Sequence, residues 1–91
     1  ENTYTIEEVT MNFARALDCL QAGLAVCRTE WNGKNQYITV IKADNPMYTD
    51  GGEYIPIQDC LGIRNAQGLM QPGWVPSQDD MFAIAWEIYD R

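Results

Sequence analysis

The sequence predicts an α+β domain in which one main helix packs on a twisted, mostly antiparallel sheet of about five strands. Three observations lead to this class. Apolar residues recur at helical spacing near the start of the chain, an Asn-Gly dipeptide then separates two strand-like segments, and short extended segments fill the second half. Asn-Gly turns favour tight hairpins between antiparallel strands. With no linker or internal repeat in 91 residues, we expect one domain over 1–91.

The main helix is predicted to run from 12 to 22. Asn12 is a favoured N-cap residue, and Gly23 supplies the left-handed conformation that ends many helices. The apolar positions between them lie three and four residues apart, at Phe13, Ala16, Leu17 and Leu20. Residues 1–10 form either a frayed arm or a short edge strand, and the pattern does not decide between the two.

A hairpin is predicted to follow the helix. Its strands span 25–29, with Val26 facing the core, and 36–42. The alternating side chains of 36–42 fit an antiparallel sheet whose two faces are used differently. The Asn32-Gly33 turn between them suits a type I′ hairpin, because that turn needs positive φ at both central positions.

The second half of the chain is predicted to be mostly extended. Breaker residues make 43–53 a loop, and a second hairpin joins 60–64 to 69–71 around a turn at 65–68. Two prolines bar 72–76 from the centre of a sheet. The remaining predicted elements are a short extended piece at 54–57, a helical turn after the capping box Ser77-Gln78-Asp79-Asp80, and a closing strand at 85–89.

Composition limits the classes of function. Thirteen acidic and six basic residues give a net charge of −7. This balance argues against binding DNA, RNA or a membrane surface, where affinity comes mainly from basic residues. A small anion is still compatible, since a few local donors outweigh distant charges that salt screens. A thin core favours a ligand pocket between protomers, and therefore a homo-oligomer.

Cysteine and histidine usage narrows the chemistry. The three cysteines lack disulfide-scaffold or zinc spacing, and no apolar run approaches a membrane span, so we expect a cytoplasmic protein with no metal and no cofactor. Cys19 and Cys27 fit small buried hydrophobes. The sequence has no histidine, the commonest general base. Paired carboxylates at Asp79 and Asp80 are the enzymatic alternative.

Two clusters carry candidate ligand-binding residues. The first, around the predicted hairpin tip, holds two cations and an indole; the second delivers another indole and a helix N-terminus. Indole faces stack on bases, basic side chains pair with phosphate oxygens, and amides after Ser77 attract anions. The candidates are Arg28, Trp31, Asn32, Gly33, Lys34, Trp74, Ser77, Gln78 and Asp79.

Each cluster also has a purely structural interpretation. Trp31 could cover the hairpin, Trp74 could fill the core, and Ser77 could do no more than cap the helix. If a tryptophan is a ligand platform, we expect Trp31, because a hairpin tip is the more exposed position.

The two clusters together resemble the phage Thoeris anti-defence 2-like family. The resemblance rests on Trp31-Asn32-Gly33-Lys34, on Pro76-Ser77-Gln78-x-Asp80 and on the closing Trp86-Glu87, and it covers roughly residues 11–42 and 69–89. This chain has Ala85 where the family usually has an acidic residue, and its middle, 43–67, has no counterpart in the resemblance.

The resemblance implies a sponge, a protein that binds a signal and withholds it from its receptor. Such proteins are homo-oligomers, typically tetramers, in the cytosol of the infected bacterium. They sequester a cyclic ADP-ribose derivative (glycocyclic ADP-ribose) and do not cleave it. Some relatives also take cyclic oligonucleotides at separate sites. The alternatives are a phosphodiesterase-like enzyme and an inhibitor that binds a host defence protein directly.

Overall fold

The described residues, 10–31, 35–43 and 47–90, form two helices and seven strands in this computed structural model. The predicted arm or edge strand at the N-terminus lies outside the described residues, apart from Thr10. The elements are α1 (Phe13–Gln21), β1 (Val26–Arg28), β2 (Tyr37–Ile41), β3 (Met47–Tyr48), β4 (Tyr54–Ile55), β5 (Cys60–Arg64), β6 (Met70–Pro72), α2 (Gln78–Phe82) and β7 (Trp86–Ile88).

Five strands form the main sheet, in the order β6-β5-β2-β1-β7, and every neighbouring pair is antiparallel. Helix α1 packs against this sheet. The predicted α+β class, with one main helix on about five strands, is therefore confirmed. The longest register joins β2 to β5, from Tyr37 opposite Arg64 to Ile41 opposite Cys60.

Helix α1 begins and ends where the sequence predicts. The Asn12 side chain accepts a hydrogen bond from the Arg15 N–H at 3.0 Å. At the other end Gly23 has φ +93°, and the Leu24 N–H donates to the Cys19 carbonyl at 3.0 Å. These contacts satisfy backbone groups that a helix end would otherwise leave without partners.

The core lies between α1 and the sheet. Its fully buried side chains include the large indole of Trp86, the last tryptophan of the chain. The Trp86 backbone exchanges two hydrogen bonds with Met11, at 2.8 and 2.9 Å, which fixes the chain just before α1 beside β7. The buried cluster is Ala16, Leu20, Val26, Ile38 and Trp86.

The first hairpin differs in detail from the prediction. β1 and β2 are antiparallel, as predicted, but their register pairs Val26 with Ile38 only. After Arg28 the chain turns, and the Trp31 N–H donates to the Arg28 carbonyl at 3.2 Å. The strands are thus shorter than predicted, because the chain leaves the ladder before the Asn-Gly dipeptide; residues 32–34 lie outside the described residues.

The second hairpin confirms its prediction. In the turn between β5 and β6, the Gly68 N–H donates to the Asn65 carbonyl at 2.9 Å, and Gly68 has φ +86°. β6 is an edge strand of the main sheet, where the proline at its end, Pro72, leaves no interior hydrogen bond unmade.

The prediction that 43–53 is only a loop is wrong. β3 and β4 pair in a separate two-stranded sheet, here called the β3–β4 ribbon. Its turn is closed by the Gly52 N–H, which donates to the Thr49 carbonyl at 2.9 Å. Strands of two residues are too short to show an alternating pattern. Without that pattern Asp50 and the two glycines after it are interpreted as loop residues, whereas they form the turn of a hairpin.

The ribbon is exposed, but its base is fixed. Tyr48 and Tyr54, which meet edge to face, are 70% and 54% exposed. At the base, Asp59 accepts from the Ala43 N–H at 2.8 Å and from the Lys42 ammonium at 3.0 Å. These two hydrogen bonds join the chain that leaves β2 to the chain that enters β5, at the base of the ribbon.

Candidate functional site

The two sequence clusters meet at one ion pair. Arg28, the last residue of β1, directs Nη1 at Asp80 Oδ1 of α2 at 2.8 Å, across 52 positions of sequence. Only 13% of each side chain is exposed. A charge pair this buried holds its elements in one arrangement, because separating it would leave a charge with neither water nor a partner.

Asp80 is also fixed from within α2. Its second carboxylate oxygen accepts from the Ser77 N–H at 2.8 Å, while its own N–H donates to Ser77 Oγ at 3.1 Å. This reciprocal capping box confirms the predicted motif. Burial alone would raise the pKa of Asp80, but the hydrogen bonds from Ser77 and Arg28 outweigh it and hold the pKa below its ordinary value.

A second carboxylate occupies the other side of the Arg28 guanidinium. Glu30 Oε1 lies 3.2 Å from Nε and 2.9 Å from Nη2, and the Glu30 side chain is 61% exposed. The hydrogen bond with Asp80 is the main cause that raises the pKa of Arg28; burial opposes it and Glu30 adds to it. Arg28 is therefore a permanent cation held between one buried and one exposed carboxylate.

Three aromatic rings surround the buried Trp86. Trp31 and Trp74 meet it edge to face, with ring centroids 5.6 and 6.3 Å away, and Phe13 meets it at 5.5 Å. The Trp86 indole N–H donates to the Asp80 carbonyl at 2.9 Å, which ties the rings to the ion pair. We call this assembly of Arg28, Asp80, Trp31, Trp74 and Trp86 the indole–arginine junction.

Comparison with known proteins identifies the family of this chain. A family model described as Thoeris anti-defense 2-like domain matches residues 11–89. The chain belongs to this family. It is also similar to a Bacillus phage SP01 protein named Thoeris anti-defense 2, at 36% identity over 85 residues, which covers 86% of this chain and 93% of the relative. Membership supports a phage anti-defence role.

The family match extends the resemblance seen in the sequence. It runs through the middle of the chain, including the β3–β4 ribbon, as well as both clusters of the indole–arginine junction. The middle segment is therefore part of the Thoeris anti-defense 2-like domain.

The structure brings together some of the predicted site residues. Arg28, Trp31, Trp74 and Ser77 lie at the junction, whereas Gln78 and Asp79 are exposed on α2. Asn32, Gly33 and Lys34 lie outside the described residues. Trp31 and Trp74 are both half-buried, so their exposure does not favour one over the other as a ligand platform.

Two residues of the junction, Asp80 and Trp86, and the neighbouring Glu30 were not among the predicted binding residues. The capping-box spacing gave a signal for Asp80, but only for its contact with Ser77. Trp86 was predicted as a strand residue, and nothing in the sequence signalled the contact of Glu30 with Arg28.

The first turn of α2 offers less to an anion than the sequence suggested. The N–H groups of Ser77 and Asp80 are used within the capping box. The carboxylates of Asp79 and Asp80 lie in the same turn and oppose negative charge. Of the candidate anion-binding groups that the structure describes, the Arg28 guanidinium is the strongest.

A groove of about 540 Å³ lies elsewhere, between α1 and the β2–β5 pair. Its volume suits a small ligand, but none of the predicted site residues lines it. The Lys42–Asp59 pair at its rim is exposed at both side chains. The lining residues are Leu17, Leu20, Gln21, Gly23, Thr39, Val40, Lys42, Asp59, Cys60 and Leu61.

The Cys27 thiol provides little nucleophilic chemistry. Burial, followed by the charge and hydrogen bond of Glu87, raises the pKa of Cys27 to about 11, so this thiol stays protonated near neutral pH. Within 10–31, 35–43 and 47–90, no group of three or more metal-ligating side chains comes together. No helix in those ranges has the length and apolar character to cross a bilayer.

Proposed function

We propose that this chain is an anti-defence sponge that binds and sequesters a cyclic ADP-ribose-type immune signal without cleaving it. The observation that carries the proposal is the convergence, at one junction, of two half-buried indoles and a guanidinium drawn from distant parts of the sequence. Membership of the Thoeris anti-defense 2-like family supports the anti-defence role.

The junction fits the chemistry of an ADP-ribose derivative. Such a ligand presents an adenine face and a pyrophosphate, for which a partly exposed indole and a guanidinium are complementary groups. The net charge of −7 does not prevent this, because contacts within a few ångströms dominate over distant charges screened by salt.

The Asp80 carboxylate of α2 is poorly suited to catalysis. Asp80 has both oxygens engaged by Ser77 and Arg28, and its lowered pKa keeps it ionised near neutral pH. A general acid or base works best with a pKa near the operating pH and a clear path to substrate. The sequence contains no histidine to take that role. These features favour capture over turnover.

We expect the ligand to emerge unchanged. The protein is incubated with the cyclic ADP-ribose derivative, the complex is isolated, and the released ligand is measured by chromatography and mass after heat denaturation. The expected peak has the original retention time and mass, and EDTA leaves binding unaltered. Steady formation of a product would instead support the enzymatic alternative.

Native mass spectrometry separates the sponge from a direct protein inhibitor. A sponge binds the small molecule by itself, so the assembly should gain the mass of whole ligands. A protein that captures no nucleotide but binds a host defence component would support the inhibitor.

We also propose that the chain acts as a homotetramer with ligand pockets between protomers. The junction leaves Trp31 and Trp74 partly open, and the exposed tyrosines of the β3–β4 ribbon offer further apolar surface. Light scattering at micromolar concentration should give four times the mass of the chain. A strict monomer that still binds ligand tightly would contradict the shared pocket.

A further inference from the structure

We propose that Glu30 occupies the ligand's place on Arg28 and is displaced when a phosphoryl group binds. This inference rests on the proposed function and deepens it: it names a residue that determines which anions the junction accepts. Phosphoryl-bearing ligands would be accepted, and weaker anions would be excluded by the carboxylate already in place.

The geometry of the guanidinium supports the exchange. Its two functional sides are held by different carboxylates: Asp80 takes Nη1 at 2.8 Å, and Glu30 takes Nε and Nη2 with a single oxygen. The Nε–Nη2 side presents two parallel N–H groups, which suit two oxygens of one phosphoryl group. Glu30 satisfies that side with one oxygen at 3.2 and 2.9 Å, which leaves room for a better geometric match.

The two carboxylates differ in how easily they can be replaced. Asp80 is buried and also tied to Ser77, so its departure would disrupt the capping box. Glu30 is 61% exposed, and the contacts that hold its side chain are those with Arg28. Because the Glu30 side chain is already largely in contact with water, the displaced carboxylate can be solvated at small cost.

The local fold couples this exchange to the aromatic ring. Glu30 lies inside the turn that the Trp31 N–H closes on the Arg28 carbonyl. This one turn therefore determines the positions of the Glu30 carboxylate, the Arg28 guanidinium and the Trp31 indole. A phosphoryl group that takes the place of Glu30 is held next to the turn that presents Trp31, as a nucleotide requires.

The test uses inorganic pyrophosphate as the probe and the Arg28 Nε–H signal in nitrogen-correlated NMR as the readout. Glu30→Gln keeps the size of the side chain and removes its charge. At low salt we expect it to bind pyrophosphate about fivefold more tightly than the parent, the effect of one nearby like charge in water. Glu53→Gln, on the exposed turn of the β3–β4 ribbon, is the matched control. It removes the same charge, but from a separate sheet.

Equal pyrophosphate affinity in the parent and in Glu30→Gln would overturn the inference. So would an Arg28 Nε–H signal that does not shift when pyrophosphate is added to Glu30→Gln. An equal gain in Glu53→Gln would do the same, because it would show a general charge effect. The proposed function is judged separately by retention of the cyclic ADP-ribose derivative. A protein that retains that ligand with an unresponsive Arg28 refutes the Glu30 inference alone, and one that shows the pyrophosphate exchange but no retention refutes the sponge alone.

Discussion

Replacing Asp80 by Ala is expected to lower the free energy of unfolding by about 3–5 kcal/mol. The substitution leaves Arg28 in a site where only 13% of its side chain reaches water, without its buried partner. It also removes the carboxylate that accepts from the Ser77 N–H. Domains of this size are stable by only about 5–15 kcal/mol, so the variant should be near the limit of folding. Urea denaturation followed by tryptophan fluorescence measures the change.

Asp79→Ala is the matched control for that experiment. The neighbouring carboxylate is exposed, so its loss should change stability by no more than about 0.5 kcal/mol. The pH dependence has a definite sign: because the pKa of Asp80 is lowered on folding, its contribution is present above the pKa of the unfolded chain and is lost as pH falls through the folded value. A loss below about 1 kcal/mol in Asp80→Ala would show that Arg28 does not depend on this carboxylate.

Replacing Trp31 by Ala is expected to weaken ligand binding about five- to a hundred-fold, which corresponds to about 1–3 kcal/mol of stacking. The ring is half-buried and meets Trp86 edge to face, and the part of its surface that remains exposed is available to a base. Calorimetric titration with the cyclic ADP-ribose derivative, beside thermal melting curves, separates binding from folding. Trp74→Ala, which removes the other indole that meets Trp86 edge to face, is expected to lose both affinity and stability.

Trp86→Ala calibrates the stability scale for these variants. This ring is fully buried, and its removal should cost about 3–5 kcal/mol as a cavity and also lose the hydrogen bond to Asp80. If Trp31→Ala melts like Trp86→Ala, then Trp31 is a core residue. If it stays folded and binds ligand like the parent, the platform lies elsewhere.

The same comparison bears on Arg28. If Arg28 served only to pair with a phosphate, Arg28→Ala would lose affinity while staying folded. In the structure Arg28 also neutralises the buried Asp80, so its removal should lower stability as well as affinity. Glu30→Gln is the cleaner probe of the anion site because it leaves the buried pair intact.

Local chemistry explains which parts of the fold the sequence predicted well. The ends of α1 and the turn before β6 depend on residues within a few positions of one another. The sequence therefore predicts them, from Asn12, Gly23 and Gly68. The capping box of α2 is local in the same way. The β3–β4 ribbon was missed because its strands are shorter than one full alternation.

The junction itself depends on long-range packing, which no short pattern encodes. The partners Arg28 and Asp80 lie 52 positions apart, and they meet because β7 lies beside β1 and places Trp86 opposite Arg28. That register also gathers Trp31 and Trp74 on one indole. The sequence identified four members of the neighbourhood as candidates without revealing that two carboxylates would hold the guanidinium.

The clamp at the base of the β3–β4 ribbon has a consequence for how this domain can change over generations. Ile41 opposite Cys60 ends the β2–β5 ladder, and Asp59 then fastens Lys42 and the Ala43 amide, so the chain between them is a closed loop. Doubling such a loop costs only about 0.6 kcal/mol of closure entropy. We therefore expect insertions and deletions in the ribbon to leave the ladder and the core in register.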